Sequence, residues 1–305
     1  MTHKKKTKLG AYNRKDILFY SLLMAYPVLQ FAVFYVAVNA NSILLTVQRY
    51  DTMTGAVTWV GFENLAEAFR MMTQQLELLD AMANSFLAYA ISLVIGTPLA
   101  LLFSFYIYKQ LPASGFFRVL LFLPSIVSAI VMVTIFQFFA DRAVPEIFTK
   151  AFGAETFQGL IENPETRFGT VMFYNIFVSV GTSTLMYSNA MDAISPDQVD
   201  AARLEGAVGI KEFFYITFPM IYPTFSTFLI TGVATIFTNQ YNLYSFFSDV
   251  SSIQTYGYWL YVQVAGAASQ SEYPVLAAVG ILLTIIAVPL TLIERKLLEK
   301  FGPSE

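Results

Sequence analysis

Two groups of polar residues in this chain have types and spacings that could do chemistry. The first lies inside long apolar stretches. Asn175, Ser179, Thr182 and Ser183 recur at helical spacing, and so do Thr231, Thr235, Thr238 and Asn242. Asn239, Gln240 and Tyr241 stand beside the second row, and Gln137 lies in another apolar stretch. Amide side chains both donate and accept hydrogen bonds. Tyr174, Tyr241 and Tyr244 offer aromatic faces to the apolar side of a bound solute. Such a set suits reversible binding of a neutral, hydroxylated solute. Rows of Ser and Thr also serve simply to pack helices together. The second group is the polar segment from Ser195 to Ala207, which mixes acids, an arginine, small residues and a glycine.

Several chemistries are excluded. The chain has no cysteine, and its one histidine, His3, lies in a basic tail. Disulfides, thiolate metal sites and cysteine nucleophiles are therefore ruled out. No Gly-x-x-x-x-Gly-Lys-Ser/Thr phosphate loop occurs, so ATP hydrolysis is not expected here. Acidic pairs in the loops read as solvated surface rather than acid–base machinery.

The elements that must position these residues follow from where charge is missing. Of 305 residues, 56% are hydrophobic and 13% are charged. A soluble domain carries roughly a quarter charged residues. No Asp, Glu, Lys or Arg occurs in 17–48, 81–108, 119–140, 168–191, 213–248 or 273–293. A helix crosses the roughly 30 Å bilayer core with about 20 apolar residues. The expected fold is an all-α polytopic membrane protein with six transmembrane helices, at about 17–40, 84–108, 117–140, 168–191, 222–248 and 273–293. A seventh charge-free run, 250–271, carries too many Ser, Gln and Gly residues to span. It is expected as an external loop with a short interfacial helix whose Tyr256, Tyr258, Trp259 and Tyr261 suit the headgroup level. The first run is too long for a cleaved signal.

Lys and Arg concentrate on the cytoplasmic side. Six spans place thirteen of the eighteen on the side of the N-terminus and five opposite. Both termini are thus expected in the cytoplasm, with tails at 1–15 and 301–305 around a membrane domain at 16–300. No charge falls inside a span, which argues against an ion-coupled or proton-coupled carrier.

The segment 192–221 is then a long cytoplasmic loop. Ser195-Pro196-Asp197 forms a good helix start, with a capping serine, a first-turn proline and an acid at the positive end of the dipole. Gly206 supplies the stop. A second short helix through Phe213, Phe214 and Ile216 up to Pro219 is expected. Such a helix–Gly–helix unit either lies on the membrane surface or docks into a groove of a soluble partner.

In this loop the chain has Asp200-Ala201-Ala202, three residues, Gly206, nine residues, then Ile216-Thr217-Phe218-Pro219. That pattern resembles the Glu-Ala-Ala, Gly, Ile-x-Leu-Pro signature of the permeases of binding-protein-dependent ABC importers. Asp replaces Glu, and Phe replaces Leu. Trp59 to Leu65, Leu123-Pro124 with Ser128 and Val131, and the stretch from Tyr258 to Ala278 resemble the carbohydrate branch, in particular its maltose-type first permease. That branch often has Gly-Gly-Pro where this chain has Phe247-Ser248-Asp249-Val250.

The resemblance implies a type I ABC importer permease fold in the bacterial cytoplasmic membrane. It implies uptake of a sugar or oligosaccharide, or alternatively of another neutral or phosphorylated polyol. A stand-alone secondary carrier is the remaining alternative. The implied partners are a second homologous permease, an ABC ATPase dimer and an extracytoplasmic solute-binding protein, besides membrane lipid and without nucleic acid. ATP and Mg would be held by the partner ATPase, with no cofactor on this chain. Asp200, Ala201, Ala202, Arg203, Glu205, Gly206, Ile216 and Pro219 would couple to the ATPase. Gln137, Asn175, Asn239, Gln240, Tyr241, Asn242 and Tyr244 would line the solute path.

Overall fold

The computed structural model describes residues 14–51, 53–153, 158–247, 253–266 and 269–303. Most of the expected N-terminal tail, residues 248–252 and 267–268 in and beside the 250–271 run, and the last two residues lie outside them. Two compact units result, residues 1–68 with 268–281 and residues 69–267 with 282–305.

The first unit holds α1 (Asp16–Thr46), in which no residue of the most apolar 18-residue window is buried. A short antiparallel hairpin follows, β1 (Gln48–Tyr50) with β2 (Val57–Trp59), pairing Gln48 with Trp59. Among the described residues this is the one departure from an all-helical chain. Asn64 is buried and donates to the carbonyls of Thr46 (3.0 Å) and Gln48 (2.7 Å). It ties the end of α1 to the hairpin, which gives the Trp59–Leu65 segment a structural reason.

The second unit contains α3 (Leu76–Tyr108), preceded by α2 (Glu63–Gln74), which begins in the first unit. Then come α4 (Ser114–Ile126), α5 (Ala129–Ala151), α6 (Pro164–Asp192), α7 (Pro196–Leu204) and α8 (Ile210–Ala234). Two short helices, α9 (Leu243–Phe246) and α10 (Tyr256–Gly266), precede α11 (Tyr273–Phe301), whose C-terminal part closes this unit. Among the described residues five helices are long and apolar enough to cross a membrane, or six if the bent pair α4–α5 counts as one span.

The third span is not the single helix expected over 117–140. It bends by 104° between α4 and α5. Pro124 removes one ladder hydrogen bond near the end of α4, and Val127 and Ser128 are extended. The fifth span was expected over 222–248, but its helix starts at Ile210 and stops at Ala234. Pro219 therefore lies within a continuous helix and does not end one. Three prolines, Pro98, Pro145 and Pro219, each stand two residues beyond a π-helical turn, namely Ser92–Gly96, Phe139–Ala143 and Phe213–Thr217. In each case the N–H just before the proline bonds five residues back, as Phe218 does to Phe213. The widened turn makes room for a ring that lacks an N–H and would otherwise crowd the preceding turn.

The helix expected in the 250–271 run exists, but its aromatics do not face headgroups. Tyr256, Tyr258 and Trp259 are buried within the protein, and only Tyr261 is exposed. Tyr256 N–H donates to Ser85 Oγ (2.8 Å), and Gln254 Nε2 to Glu77 Oε1 (2.8 Å), which pins the segment on α3. At the other end of the helices, Val199, Ile194, Met191 and Phe213 share a core with Leu101 and Ile221.

Helix α6 packs on α4 at Gly181, where an added Cβ would stand 1.9 Å from the Leu121 carbonyl oxygen. Overpacking costs typically about 1–3 kcal/mol, so Gly181→Ala is expected to lower the melting temperature in detergent. Gly169→Ala on the same helix meets open space and serves as control. A Gly181→Ala protein that melts with or above the wild type would refute this packing.

Candidate solute pathway and coupling loop

Helices α3, α6 and α8 and the turn after α8 enclose a cavity of about 540 Å³. From α3 come Tyr89, Ser92, Gly96 and Thr97, and from α6 come Asn175, Ser179, Thr182, Ser183 and Tyr187. From α8 come Phe228, Thr231 and Thr235, followed by Asn239, Tyr241 and Asn242. No lining residue is charged. Tyr187 packs against Phe228 at a tilt of 57°, with ring centroids 5.0 Å apart.

The turn exists because its side chains compete with the helix. Short amides and hydroxyls offer the backbone local alternatives to the helical ladder. Thr235 bonds its hydroxyl back to Thr231 O (2.9 Å), and Asn239 Oδ1 accepts from Tyr241 N–H (2.9 Å). Tyr241 and Asn242 both take the left-handed conformation, at φ 48° and 57°. Asn175 closes the turn from α6. Its Nδ2 donates to Val171 O (2.9 Å) and Tyr241 O (2.7 Å), and its Oδ1 accepts from Asn242 Nδ2 (2.8 Å).

The structure thus brings together Asn175, Asn239, Tyr241 and Asn242, and leaves three expected pathway residues out of the lining. Gln137 spends its amide on Phe246 O (3.0 Å), joining α5 to α9. Gln240 is half-buried beside the cavity. Tyr244 is exposed and packs edge-on against Tyr261. Tyr174 is buried against Phe246 and presents no free face. Thr238 and Asn242 lie past the break, so they do not continue the helical row of Thr231 and Thr235. The sequence reading missed Tyr89, Ser92, Gly96 and Thr97, although Tyr89, Ser92 and Gly96 follow helical spacing in a charge-free run. Behind the wall, Tyr89 donates its hydroxyl to Glu294 Oε1 (3.4 Å). That acid stands on α11, whose helix runs on to Phe301, beyond the expected span end at 293.

In the loop, α7 starts at Ser195. The serine caps with its carbonyl, which accepts from Gln198 and Val199, and its side chain makes no cap bond. Val199 and Ala202 turn inward and are buried, whereas Asp200, Ala201, Arg203 and Glu205 are exposed and Leu204 is 91% exposed. Ala202 therefore packs against its own chain and offers no surface to a partner. The helix ends with Ala207 N–H bonded to Ala202 O (2.9 Å) and Gly206 N–H to Arg203 O (3.0 Å). This is a Schellman end with a left-handed residue at Gly206, φ +87°. A Cβ on Gly206 would meet open space. The constraint there is conformational rather than steric. Ile216 and Pro219 are half-buried in the first turns of α8 and do not belong to the exposed loop.

Residues 92–300 match the family described as binding-protein-dependent transport system inner membrane component. The probable ABC transporter permease protein YurN of Bacillus subtilis (strain 168) is 26% identical over 76% of this chain and 80% of its own length. The polygalacturonan/rhamnogalacturonan transport system permease protein YteP of the same organism is 23% identical over 93% of this chain and 88% of its own. In structure, a chain of a bacterial ABC transporter involved in import of the acidic polysaccharide alginate superposes with a TM-score of 0.76. Its sequence is 19% identical, and the match covers 95% of this chain and 98% of that one.

Thr182→Val keeps the shape of an exposed lining residue and removes its hydroxyl. A lost hydrogen bond is worth roughly 0.5–1.5 kcal/mol, so solute flux in proteoliposomes should fall roughly two- to tenfold with an unchanged melting temperature. Gln240→Ala should leave flux near wild type. The reverse ranking of the two variants would place the path elsewhere.

Proposed function

Since the chain belongs to the family of binding-protein-dependent transport system inner membrane components, we propose that it is one permease subunit of an ABC importer for a neutral sugar or oligosaccharide. The observation that carries the substrate class is the cavity wall, where hydroxyls, amides and aromatic rings stand among aliphatic side chains such as Leu93, Val178 and Leu229 and no residue is charged. Hydroxyl-rich solutes match such a wall, whereas a phosphorylated polyol would leave its charge unpaired in a low-dielectric site. Binding proteins deliver solute to family members, which disfavours a stand-alone secondary carrier. In this reading the subunit works with a second permease, a solute-binding protein on the outer side and a pair of ATPase subunits that hold ATP and Mg. Both termini and α7 lie in the cytoplasm, which agrees with the split of Lys and Arg.

The coupling surface is the exposed side of α7 and the turn beyond it. Leu204, Val208 and Ile210 are 91%, 60% and 60% exposed in an otherwise polar loop. Apolar side chains at the rim of a short helix suit insertion into a groove. Alternating access follows when closure of the ATPase pair displaces α7 and the attached spans re-form the cavity toward the other side.

Two measurements test this reading. The cognate ATPase should copurify with the wild-type chain in mild detergent and be lost with Leu204→Asp, which puts a charge on the docking face. Gly206→Pro should act alike, because proline fixes φ near −65° and cannot close the α7 end. Full retention by both variants would mean that the docking face is misassigned. Lys300→Cys, in this cysteine-free chain, should react with an impermeant thiol reagent only after the cytoplasmic side is opened. Labelling from intact cells would invert the topology.

A further inference from the structure

Glu212 is the only buried Asp, Glu, Lys or Arg among the described residues, with its side chain 2% exposed. It stands in the first turn of α8. One carboxylate oxygen pairs with Lys109 Nζ at the end of α3, and the other lies 3.8 Å from Arg203 Nε on α7. Arg203 in turn bonds Asp200 (3.1 Å) on the exposed face of α7. The Lys109 ammonium also lies over the rings of Phe105 and Tyr108, 5.7 and 5.5 Å from their centroids. A continuous polar chain thus runs from the loop surface through α7 and α8 to α3.

The covalent route from α7 to α8 is hinged. It passes Gly206 and Gly209, both at positive φ, and glycine resists rotation least of all residues. Pushing α7 along that route alone would bend the hinge before it moved α8. The ionic chain bypasses the hinge. It also reaches α3, to which α7 has no sequence neighbour. Helices α3 and α8 form two walls of the cavity. A buried charge is costly unless paired, and apolar residues would fill the same space, so packing alone gives no reason for an acid here.

We propose that Glu212 is the joint that makes α3 and α8 follow α7, a positioning residue for transport that touches neither solute nor ATPase. This rests on the importer reading above.

The test uses the whole transporter in proteoliposomes with its solute-binding protein. Glu212→Gln keeps the volume and removes the charge. It is expected to retain the ATPase and hydrolyse ATP, while solute imported per ATP falls roughly tenfold, within the range of a lost coupling between sites. Glu212→Asp, which keeps the charge, should restore most of that ratio. Lys109→Gln combined with Glu212→Gln leaves no unpaired buried charge, so it assembles even where the single variant fails, and the same fall is expected. A wild-type ratio of import to hydrolysis in either neutral variant would overturn the proposal. So would failure of both to assemble, since the network would then be only structural. Absence of any ATPase on the wild-type chain would instead sink the importer reading, a result separable from these.

Discussion

Hydrocarbon offers no hydrogen bonds, so a chain that leaves the helix at membrane depth has to be satisfied by its own protein. The stretch after α8 meets that demand through Asn175. One amide holds the Tyr241 carbonyl and the Asn242 side chain while staying bonded to its own helix at Val171. Thr255 adds a bond to Asn239 O (3.1 Å), and Gly257 lets α10 approach the 238–239 backbone, where a Cβ would stand 2.6 Å from Thr238. The cavity, the break and the buried start of α10 are consequences of the same closure. Without it the two left-handed residues would have no reason to persist, since such conformations survive only when their surroundings hold them.

The opposite end of the bundle is organised by a different solution to a similar problem. Pro219 would end a helix in water, yet the π turn before it lets α8 pass unbroken from the loop into the span. That continuity places Phe213 in the core with Val199 of α7 and sets Glu212 against Lys109. The loop signature is therefore two things at once, an exposed helix with a glycine end and the buried first turns of the span that follows.

Much of this was legible in the sequence. Among the described residues, each of the six charge-free runs read as spans overlaps a helix, or the bent pair α4–α5, long and apolar enough to cross a membrane, because charge is costly in lipid. The spacing from Asp200 to Pro219 located α7 and its glycine stop. What stayed hidden depended on partners distant in sequence. Tyr256, Tyr258 and Trp259 look alike whether they face headgroups or a neighbouring helix, and only the pairing with Ser85 and Glu77 decides. Gln137 and Asn239 are the same kind of residue in an apolar run, yet one bonds a backbone carbonyl across the bundle and the other faces the cavity. The outward or inward direction of Ala201 and Ala202 depended on which side of α7 joins the core, the side on which Val199 meets the cluster with Phe213. The bend between α4 and α5 had a proline as its signal, but prolines elsewhere in the chain leave helices continuous.

The hydroxyls of the cavity wall have a kinetic meaning. Ser179, Thr231 and Thr235 each donate to a carbonyl of their own helix, at 3.2, 2.8 and 2.9 Å. Their protons are occupied, and toward the cavity they present only lone pairs. A polyhydroxylated molecule facing them can donate weakly at many successive points and is gripped firmly at none. On the importer reading proposed above, the wells at these three positions are shallow and similar, which shortens residence there and favours release over capture, as passage requires. Discrimination among solutes is then better placed upstream, where a molecule can afford to be held.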